Sequence, residues 1–242
     1  MNKHGHTMIL TKCASCAAPL PPLTAKQCSR CKTRYCGSPC QTRHWIEGGH
    51  KDLCKKIKRG GGAEQYNADR MYKEFVVVAG KECAEDTKDE TCYICTEGAE
   101  RRHTANEGLV RGCSCRGSSG FAHVACLVQQ AKVLVAYAEE DNLDYGPSWI
   151  RWNTCGLCKQ DYHGIVKCVL GWACWKTYLG RPEGDLPRIH AMNQLGSGRG
   201  AASILRGDGV LVRLHRLHGV LAIDAAPISG LSPNLTPSTR RT

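Results

Sequence analysis

Cysteine and histidine recur in closely spaced pairs along two stretches of the chain, and such pairs are typical metal ligands. In the second stretch, thiolate and imidazole groups at these spacings predict two tetrahedral zinc sites. Alternate pairs would share an ion in a cross-brace, so neither ion could bind unless the whole stretch folds. One ion would take Cys92, Cys95, His123 and Cys126, and the other would take Cys113, Cys115, Cys155 and Cys158.

The first stretch carries a similar set of ligands between residues 13 and 54. Cys36 and Cys40 are four residues apart, as are His50 and Cys54, and this spacing puts each pair on one face of a helical turn. Each pair can therefore chelate one ion. A module of about forty residues cannot bury enough apolar surface to fold alone, whereas structural zinc supplies about 10–16 kcal/mol of apparent binding energy.

This first stretch resembles the MYND zinc finger over its full length, including the non-ligand residues Tyr35, Gln41 and Trp45. MYND fingers are protein-interaction modules, and their groove for proline-rich peptides involves the positions of Gln41 and Trp45. An alternative role for Trp45 is to cap a minimal core. The resemblance implies that His44 is not a ligand. It also implies one ion on Cys13, Cys16, Cys36 and Cys40 and another on Cys28, Cys31, His50 and Cys54.

A Pro-Leu-Pro-Pro-Leu segment at residues 19–23 lies within the first gap between ligand pairs. It resembles the peptides that MYND grooves accept, which suggests self-association or autoinhibition through this loop. A rigid polyproline spacer is the alternative interpretation.

The second stretch resembles the RING-CH variant of ubiquitin-ligase fingers. The resemblance rests on the single residue between Cys113 and Cys115, the seven residues before His123, and the Cys-Arg-Gly-Ser phrase that begins at Cys115. PHD fingers share the ligand order, but they usually leave fewer residues before the histidine and place a tryptophan nearer the seventh ligand. Trp152 lies three residues before Cys155 in this chain, which favours RING-CH.

The RING-CH resemblance implies a ubiquitin-protein ligase, which holds a ubiquitin-charged conjugating enzyme so that its thioester faces a lysine. Ile94 and Leu157 occupy the positions that contact the conjugating enzyme, and Lys159 stands where an arginine often braces ubiquitin. A lysine lacks the bidentate geometry of arginine. Gln130 and Ala131 also replace a tryptophan common on the central helix. No residue is predicted to be catalytic, and a non-enzymatic zinc-finger scaffold or adaptor is the alternative function.

The composition fits a reduced, metal-bound protein. The chain has seventeen cysteines in 242 residues. Met1 is not followed by the apolar run of a secretory signal. We therefore expect a cytoplasmic or nuclear location and no disulfide framework. The formal net charge is +11. Binding of four Zn²⁺ by fourteen thiolates would lower it to +5. Nucleic acid is therefore a disfavoured partner, compared with a conjugating enzyme and a proline-rich peptide or adaptor protein.

The fold class predicted from these patterns is small zinc-stabilised α+β modules: two cross-brace zinc fingers joined and flanked by helices, with an irregular C-terminal tail. Apolar periodicity predicts helices over 63–82 and 124–140, and a loop over 141–152. The apolar run near residue 170 is too short to span a membrane. The predicted segments are a flexible lead at 1–12, a MYND-type finger at 13–54, a basic linker and spacer helix at 55–90, a RING-CH-type finger at 91–160, a packing helix at 161–187 and the tail at 188–242.

Overall fold

The computed structural model describes residues 10–21, 24–99 and 107–197, and three strands beyond them. Most of the predicted lead and the last fifteen residues of the predicted tail, 228–242, lie outside the described residues. In chain order the elements are β1 (Lys26–Gln27), β2 (Arg34–Tyr35), α1 (Ser38–Ile46), α2 (His50–Arg59), α3 (Ala63–Glu82), α4 (Val124–Glu140), α5 (Tyr145–Trp149), a 3₁₀ turn (Ile150–Trp152), α6 (Gly164–Tyr178), α7 (Leu186–Ser197), β3 (Ile204–Leu205), β4 (Val210–Leu217) and β5 (Val220–Pro227).

The first finger is a short antiparallel hairpin followed by two helices. Lys26 pairs with Tyr35 across β1 and β2, and α1 packs against both β2 and α2. Helix α1 begins at Ser38 with Pro39 in its first turn, where the missing N–H of proline breaks no intrahelical bond. The buried core is small, because nine residues form it: Cys13, Leu20, Ala25, Cys28, Cys31, Tyr35, Cys54, Ile57 and Ala63.

A second and larger core is organised around α6. Helices α3 and α7 both pack against α6, whose Trp172 and Trp175 side chains are fully buried. The Phe75 ring of α3 lies 6.3 Å from the Trp172 ring between centroids. Gly171 lets α7 approach closely, since a Cβ at that position would lie 3.3 Å from Cα of Leu195. Residues of the second finger belong to the same core, and α4 of that finger also contacts α6.

Helices α3 and α4 occupy the ranges that apolar periodicity predicted, but the expected linker at residues 55–59 is the end of α2. Ile57 is buried in the core of the first finger, which explains why the basic run stays helical. Gly61 and Gly62 then turn the chain at φ values of +84° and +98°, and α3 begins at once. The N–H of Ala63 donates to the carbonyl of Cys31 at 2.8 Å, which fixes α3 directly to the finger.

The structure also differs from the sequence prediction in two further segments. The predicted loop at 141–152 contains α5, where the carboxylate of Asp144 caps the helix by accepting from the N–H of Gly146 at 3.1 Å. This helix and the following 3₁₀ turn bury Trp149 and Trp152. The predicted irregular tail begins with α7, because Ala191 and Leu195 share one helical face and are buried against α6.

Three short strands follow α7 and form one antiparallel sheet in the order β3–β4–β5. Val210 pairs with Pro227 and Leu217 with Val220, so β4 and β5 form a hairpin. Among the described residues, each helix is too short or too polar to cross a lipid bilayer.

Candidate metal centres

The structure brings sixteen cysteine and histidine side chains into four groups, in which all potential donor atoms lie within 4.8 Å of one another. These are the groups that the sequence and the MYND resemblance suggested. Within the described residues they are Cys13, Cys16, Cys36 and Cys40; Cys28, Cys31, His50 and Cys54; Cys92, Cys95, His123 and Cys126; and Cys113, Cys115, Cys155 and Cys158. Each finger thus combines alternate ligand pairs as a cross-brace.

The distances within the groups fit tetrahedral zinc. Four sulfur atoms about 2.3 Å from a central zinc ion lie about 3.8 Å apart. The Sγ atoms of Cys16 and Cys36 are 3.7 Å apart, and those of Cys115 and Cys155 are 3.8 Å apart. A disulfide would require about 2.05 Å, and all seventeen cysteines are free thiols. The donor chemistry and geometry therefore fit zinc in each of the four groups.

His123 is oriented by its second ring nitrogen. Its Nδ1 lies 3.4 Å from Sγ of Cys95 and 3.9 Å from Sγ of Cys126, so this nitrogen faces the candidate ion. Its Nε2 lies 2.9 Å from the carbonyl oxygen of Gly98, which is an acceptor only. The Nε2 atom must therefore carry the proton and donate, which leaves the Nδ1 lone pair for a metal.

His50 is oriented in a different way, by packing between rings. Its Nε2 lies 3.5 Å from Sγ of Cys31, while its buried Nδ1 has no hydrogen-bond partner within the described part of the chain. The imidazole stacks on His44 at 5.1 Å and meets the edge of Trp45 at 5.7 Å. His44 is outside the ligand group, as the resemblance implied, and its Nδ1 lies 3.0 Å from the hydroxyl of Tyr35.

Each Cys-x-x-Cys pair lies on the same type of turn. The residue after the second cysteine has a positive φ in all four cases: Ala17 at 58°, Lys32 at 65°, Thr96 at 61° and Lys159 at 61°. The left-handed conformation costs a residue with a Cβ about 1 kcal/mol or more. In the turns after Cys13 and Cys92, the N–H of Ala17 and of Thr96 donates to the carbonyl of the first cysteine. A shared strained turn at four ligand pairs indicates that the backbone is shaped for a metal.

The thiols of the ligand groups differ in how easily they ionise. Burial opposes ionisation of Cys13, but the backbone N–H groups of Cys16 and Cys36 outweigh it and lower its pKa to about 6. Burial likewise opposes ionisation of Cys92, and the N–H of Cys95 helps to bring its pKa down to about 7. Burial and the charge of Cys92 raise the pKa of Cys126 to about 12. Without a cation the three thiols of this group could not all be deprotonated, whereas Zn²⁺ would hold them as thiolates beside the imidazole of His123.

Gly120 is a site residue that sequence reasoning missed. It has a φ of +86°, and a Cβ at this position would lie 2.6 Å from Cβ and 2.9 Å from Sγ of Cys115. The same Cβ would lie 3.3 Å from Sγ of Cys113. The sequence signal was a glycine five residues after the Cys-x-Cys pair, but only the folded turn shows that it leaves room for this ligand group.

The predicted proline-rich internal ligand is partly built into the finger itself. Leu20 is buried, and its N–H donates to the carbonyl of Thr11 at 2.7 Å. The carbonyl of Pro21 accepts a hydrogen bond from Nη2 of Arg34 at 2.6 Å. Pro22 and Leu23 lie outside the described residues. Leu20 is therefore anchored in the core, although Pro19 and Pro21 are exposed, and this anchoring argues against a free peptide at this place.

The residues predicted to contact partners occupy two separate surfaces. Trp45 is 37% exposed on α1, and Gln41 lies one turn earlier on the same face. Ile94 and Leu157 flank the second finger, with Leu157 48% exposed. The ammonium of Lys159 is exposed and donates to the carbonyl of Gly156 within its own turn.

A cleft of about 520 Å³ lies between the first ligand loop of the second finger and α4. Most of its lining is apolar, and two glutamine side chains contribute amide groups at its edge. The lining residues are Ile94, Cys95, Ala125, Cys126, Gln129, Gln130, Val133 and Leu134. Gln130 also lies close to the last ligand loop, since a Cβ on Gly156 would be 3.5 Å from its Oε1. The cleft can accept an apolar side chain from another protein.

Comparisons with known proteins agree with the two zinc-finger resemblances. A family model described as the MYND finger matches residues 13–54, and one described as the RING-variant domain matches residues 92–133. The second match ends before Cys155 and Cys158, the pair that completes the last ligand group.

A curated relative is ubiquitin carboxyl-terminal hydrolase 17 of Arabidopsis thaliana, which is 41% identical over 56 residues. The aligned part covers 23% of this chain and 7% of the relative, so the chain spans only a small fraction of that protein. No solved structure matches. This chain therefore contains a MYND finger at 13–54 and a RING-variant domain at 92–133, and its four ligand groups fit zinc.

Proposed function

We propose that this chain is a RING-type ubiquitin-protein ligase whose second finger binds a ubiquitin-charged conjugating enzyme. The observation that carries the proposal is the apolar cleft between Ile94 and α4, because it lies beside the loop position implied by the RING-CH resemblance. Leu157, the second implied contact, is exposed and therefore free to bind a partner. The RING-variant match supports the same class of function.

The chain would act by positioning rather than by covalent chemistry. Each candidate zinc site has four protein donors, so a bound ion would be structural and would leave no open position for water. Ile94 would contact the conjugating enzyme from the first ligand loop, and Leu157 would contact it from the last one. Holding the enzyme in this way brings its thioester to a substrate lysine and raises the rate by proximity and orientation.

The MYND finger would recruit the substrate or an adaptor through a proline-rich peptide. Trp45 is exposed on α1 while one edge of its ring rests against His50, so it combines a fixed position with a free face. A fixed aromatic ring suits proline-rich ligands, which bind as preformed extended helices. Fourteen thiolate ligands need a reducing compartment, and the proposed location is therefore the cytoplasm or the nucleus.

Autoubiquitination with a panel of conjugating enzymes tests the ligase proposal directly. The zinc-loaded chain should form ubiquitin conjugates with at least one enzyme, and Ile94→Ala should reduce their formation because the cleft loses its apolar wall. Val77→Ala is a matched control, since Val77 is an exposed aliphatic residue on α3 and does not line the cleft. Equal activity of Ile94→Ala and Val77→Ala would contradict the proposal.

A non-enzymatic scaffold is the second candidate, and the position of Lys159 favours it. This side chain lacks the bidentate fork of arginine and donates one of its three N–H groups to the carbonyl of Gly156 in its own turn, which would weaken the ubiquitin-bracing role of that position. Under this alternative, the cleft would bind a protein without transfer of ubiquitin. The chain would then retain binding partners for both fingers but form no conjugates with any enzyme of the panel.

A further inference from the structure

Helix α2 presents an exposed basic surface that neither zinc site uses. Lys51, Lys55 and Lys58 are spaced at four and three residues and therefore lie on one face of the helix, and all three are exposed. Lys56 and Arg59 extend the positive charge around the solvent side. A different face of the helix holds His50, Cys54 and Ile57 in the core of the finger.

Helix α2 carries one acidic residue, Asp52, and no salt bridge pairs the lysines of this surface within the described part of the chain. The salt bridges recorded there involve residues of α3 and of the region from Glu139 to Arg188, and none involves a cation of α2. Arg43 of α1, by contrast, is already engaged, since its guanidinium donates to the hydroxyl of Ser15 and lies 3.7 Å from Sγ of Cys40. Lys26, Arg30 and Lys32 of the finger are exposed too, but the lysines of α2 share one helical face and offer a row of cations to a partner.

The basic surface on α2 follows closely after Trp45, the exposed aromatic residue of α1. Trp45 packs edge-on against His50, the first residue of α2, and Lys51 is the next residue along that helix. Ile46, beside Trp45 in sequence, is 73% exposed. Exposed apolar side chains near the end of α1 and a row of cations that starts in the first turn of α2 are thus neighbours along the chain, which suits a ligand that carries apolar and acidic groups in sequence.

We propose that the MYND finger selects proline-rich peptides flanked by aspartate or glutamate. The proline-rich part would pack on Trp45 and Gln41, and the carboxylates would pair with Lys51, Lys55 and Lys58. This inference rests on the proposed role of the finger in peptide recruitment and adds the chemistry of the partner. A peptide is favoured over nucleic acid because base stacking needs a series of exposed aromatic rings, and among the described residues of the finger Trp45 is the exposed one while Tyr35 is buried.

The test compares two peptides of equal length on the zinc-loaded chain. Both contain the same proline-leucine core, with flanking glutamates in one and glutamines at the same positions in the other. Three exposed ion pairs should make the glutamate peptide bind about tenfold more tightly at low salt, and added salt should reduce this preference. The triple variant Lys51→Glu, Lys55→Glu and Lys58→Glu should lose the preference and keep its affinity for the glutamine peptide.

A control variant with the same change of net charge shows whether the peptide preference depends on the lysines of α2 or on the net charge of the whole chain. Lys81, Lys88 and Lys132 are exposed and lie outside the first finger, so their replacement by glutamate should preserve the preference. The zinc content of each variant reports whether its fingers still fold. Binding of both peptides with equal affinity would overturn the inference and leave peptide recruitment intact, whereas binding of neither would contradict peptide recruitment itself. Tighter binding of a polythymidine strand, lost in the triple variant on α2, would also overturn the inference in favour of nucleic acid.

Discussion

The two fingers share one ligand pattern but differ in what surrounds it. The core of the MYND finger has nine buried residues, and four of them are cysteines of the ligand groups. The core around the RING-variant domain has thirty-two, again with four ligand cysteines. The remaining residues of this larger core come mostly from α3, α4, α6 and α7, and they include four buried tryptophans. Ligand cysteines make up nearly half of the core of the first finger, so we expect its folding to depend on metal, whereas the second finger is attached to a larger helical core.

Removal of zinc should therefore produce a larger difference in stability between the two regions than any substitution. A strong chelator should unfold α1 and α2, because structural zinc supplies about 10–16 kcal/mol to a small finger and five non-ligand core residues cannot replace it. Helix α6 should remain protected by its apolar contacts with α3 and α7. Hydrogen exchange measured by mass spectrometry checks both expectations, the unfolding of α1 and α2 and the protection of α6. Equal loss of protection in α6 and in α1 would contradict the comparison.

A single added methyl group should remove one ion from the second finger. Gly120→Ala places a Cβ 2.6 Å from that of Cys115, so the zinc content should fall from four ions to three per chain. Gly117→Ala is the matched control, because Gly117 has a similar φ of +59° but open space around it. It should retain all four ions and lose about 1 kcal/mol of stability. Native mass spectrometry gives the number of zinc ions in each variant. Four ions in Gly120→Ala would contradict the prediction, because they would show that the finger accommodates the added Cβ.

Truncation of the helical core should act on the second region alone. Trp172→Ala removes a fully buried ring and should lower the free energy of unfolding of this core by about 3–5 kcal/mol. The MYND finger should keep its two ions, since Trp172 is not part of its core. Denaturant unfolding followed by tryptophan fluorescence measures the loss of stability of the helical core. The zinc content of the MYND finger shows whether that finger folds independently of the core. Loss of these ions would show that the two regions fold together.

The smallest effect concerns the strained turns that both fingers share. Ala17→Gly should stabilise the MYND finger by about 1 kcal/mol, because glycine adopts the φ of +58° without a steric penalty. Ala14→Gly is the control in the same ligand loop, where φ is not positive, and it should destabilise the finger by about 0.5–1 kcal/mol. Zinc competition with a fluorescent chelator reports both changes. The same sign for both variants would contradict the account of these turns.

The sequence predicts the ligand groups well because metal chemistry restricts the spacing of the donors. Pairs such as Cys92 and Cys95 are local, and their partners follow from the alternation of pairs along the chain. Helices α3 and α4 were also predicted, since their apolar residues repeat with the period of a helix. These features depend on nearby residues, which a single sequence displays directly.

The features that were missed depend on residues distant in sequence. Helix α7 is stabilised by its contact with α6 at Gly171, and α2 continues past Cys54 because Ile57 enters the core of the finger. The role of Gly120 appears only when its turn is folded over Cys115. The acceptor for His123 is a backbone carbonyl at Gly98, which no side-chain pattern can reveal. Tertiary packing decides each of these cases.

X-ray absorption at the zinc edge, together with native mass spectrometry, tests the central claim most directly. The account predicts four zinc ions per chain, surrounded on average by 3.5 sulfur and 0.5 nitrogen neighbours, because fourteen cysteines and two histidines share them. An ordered chain with two or fewer ions, or with oxygen in the coordination shell, would contradict it.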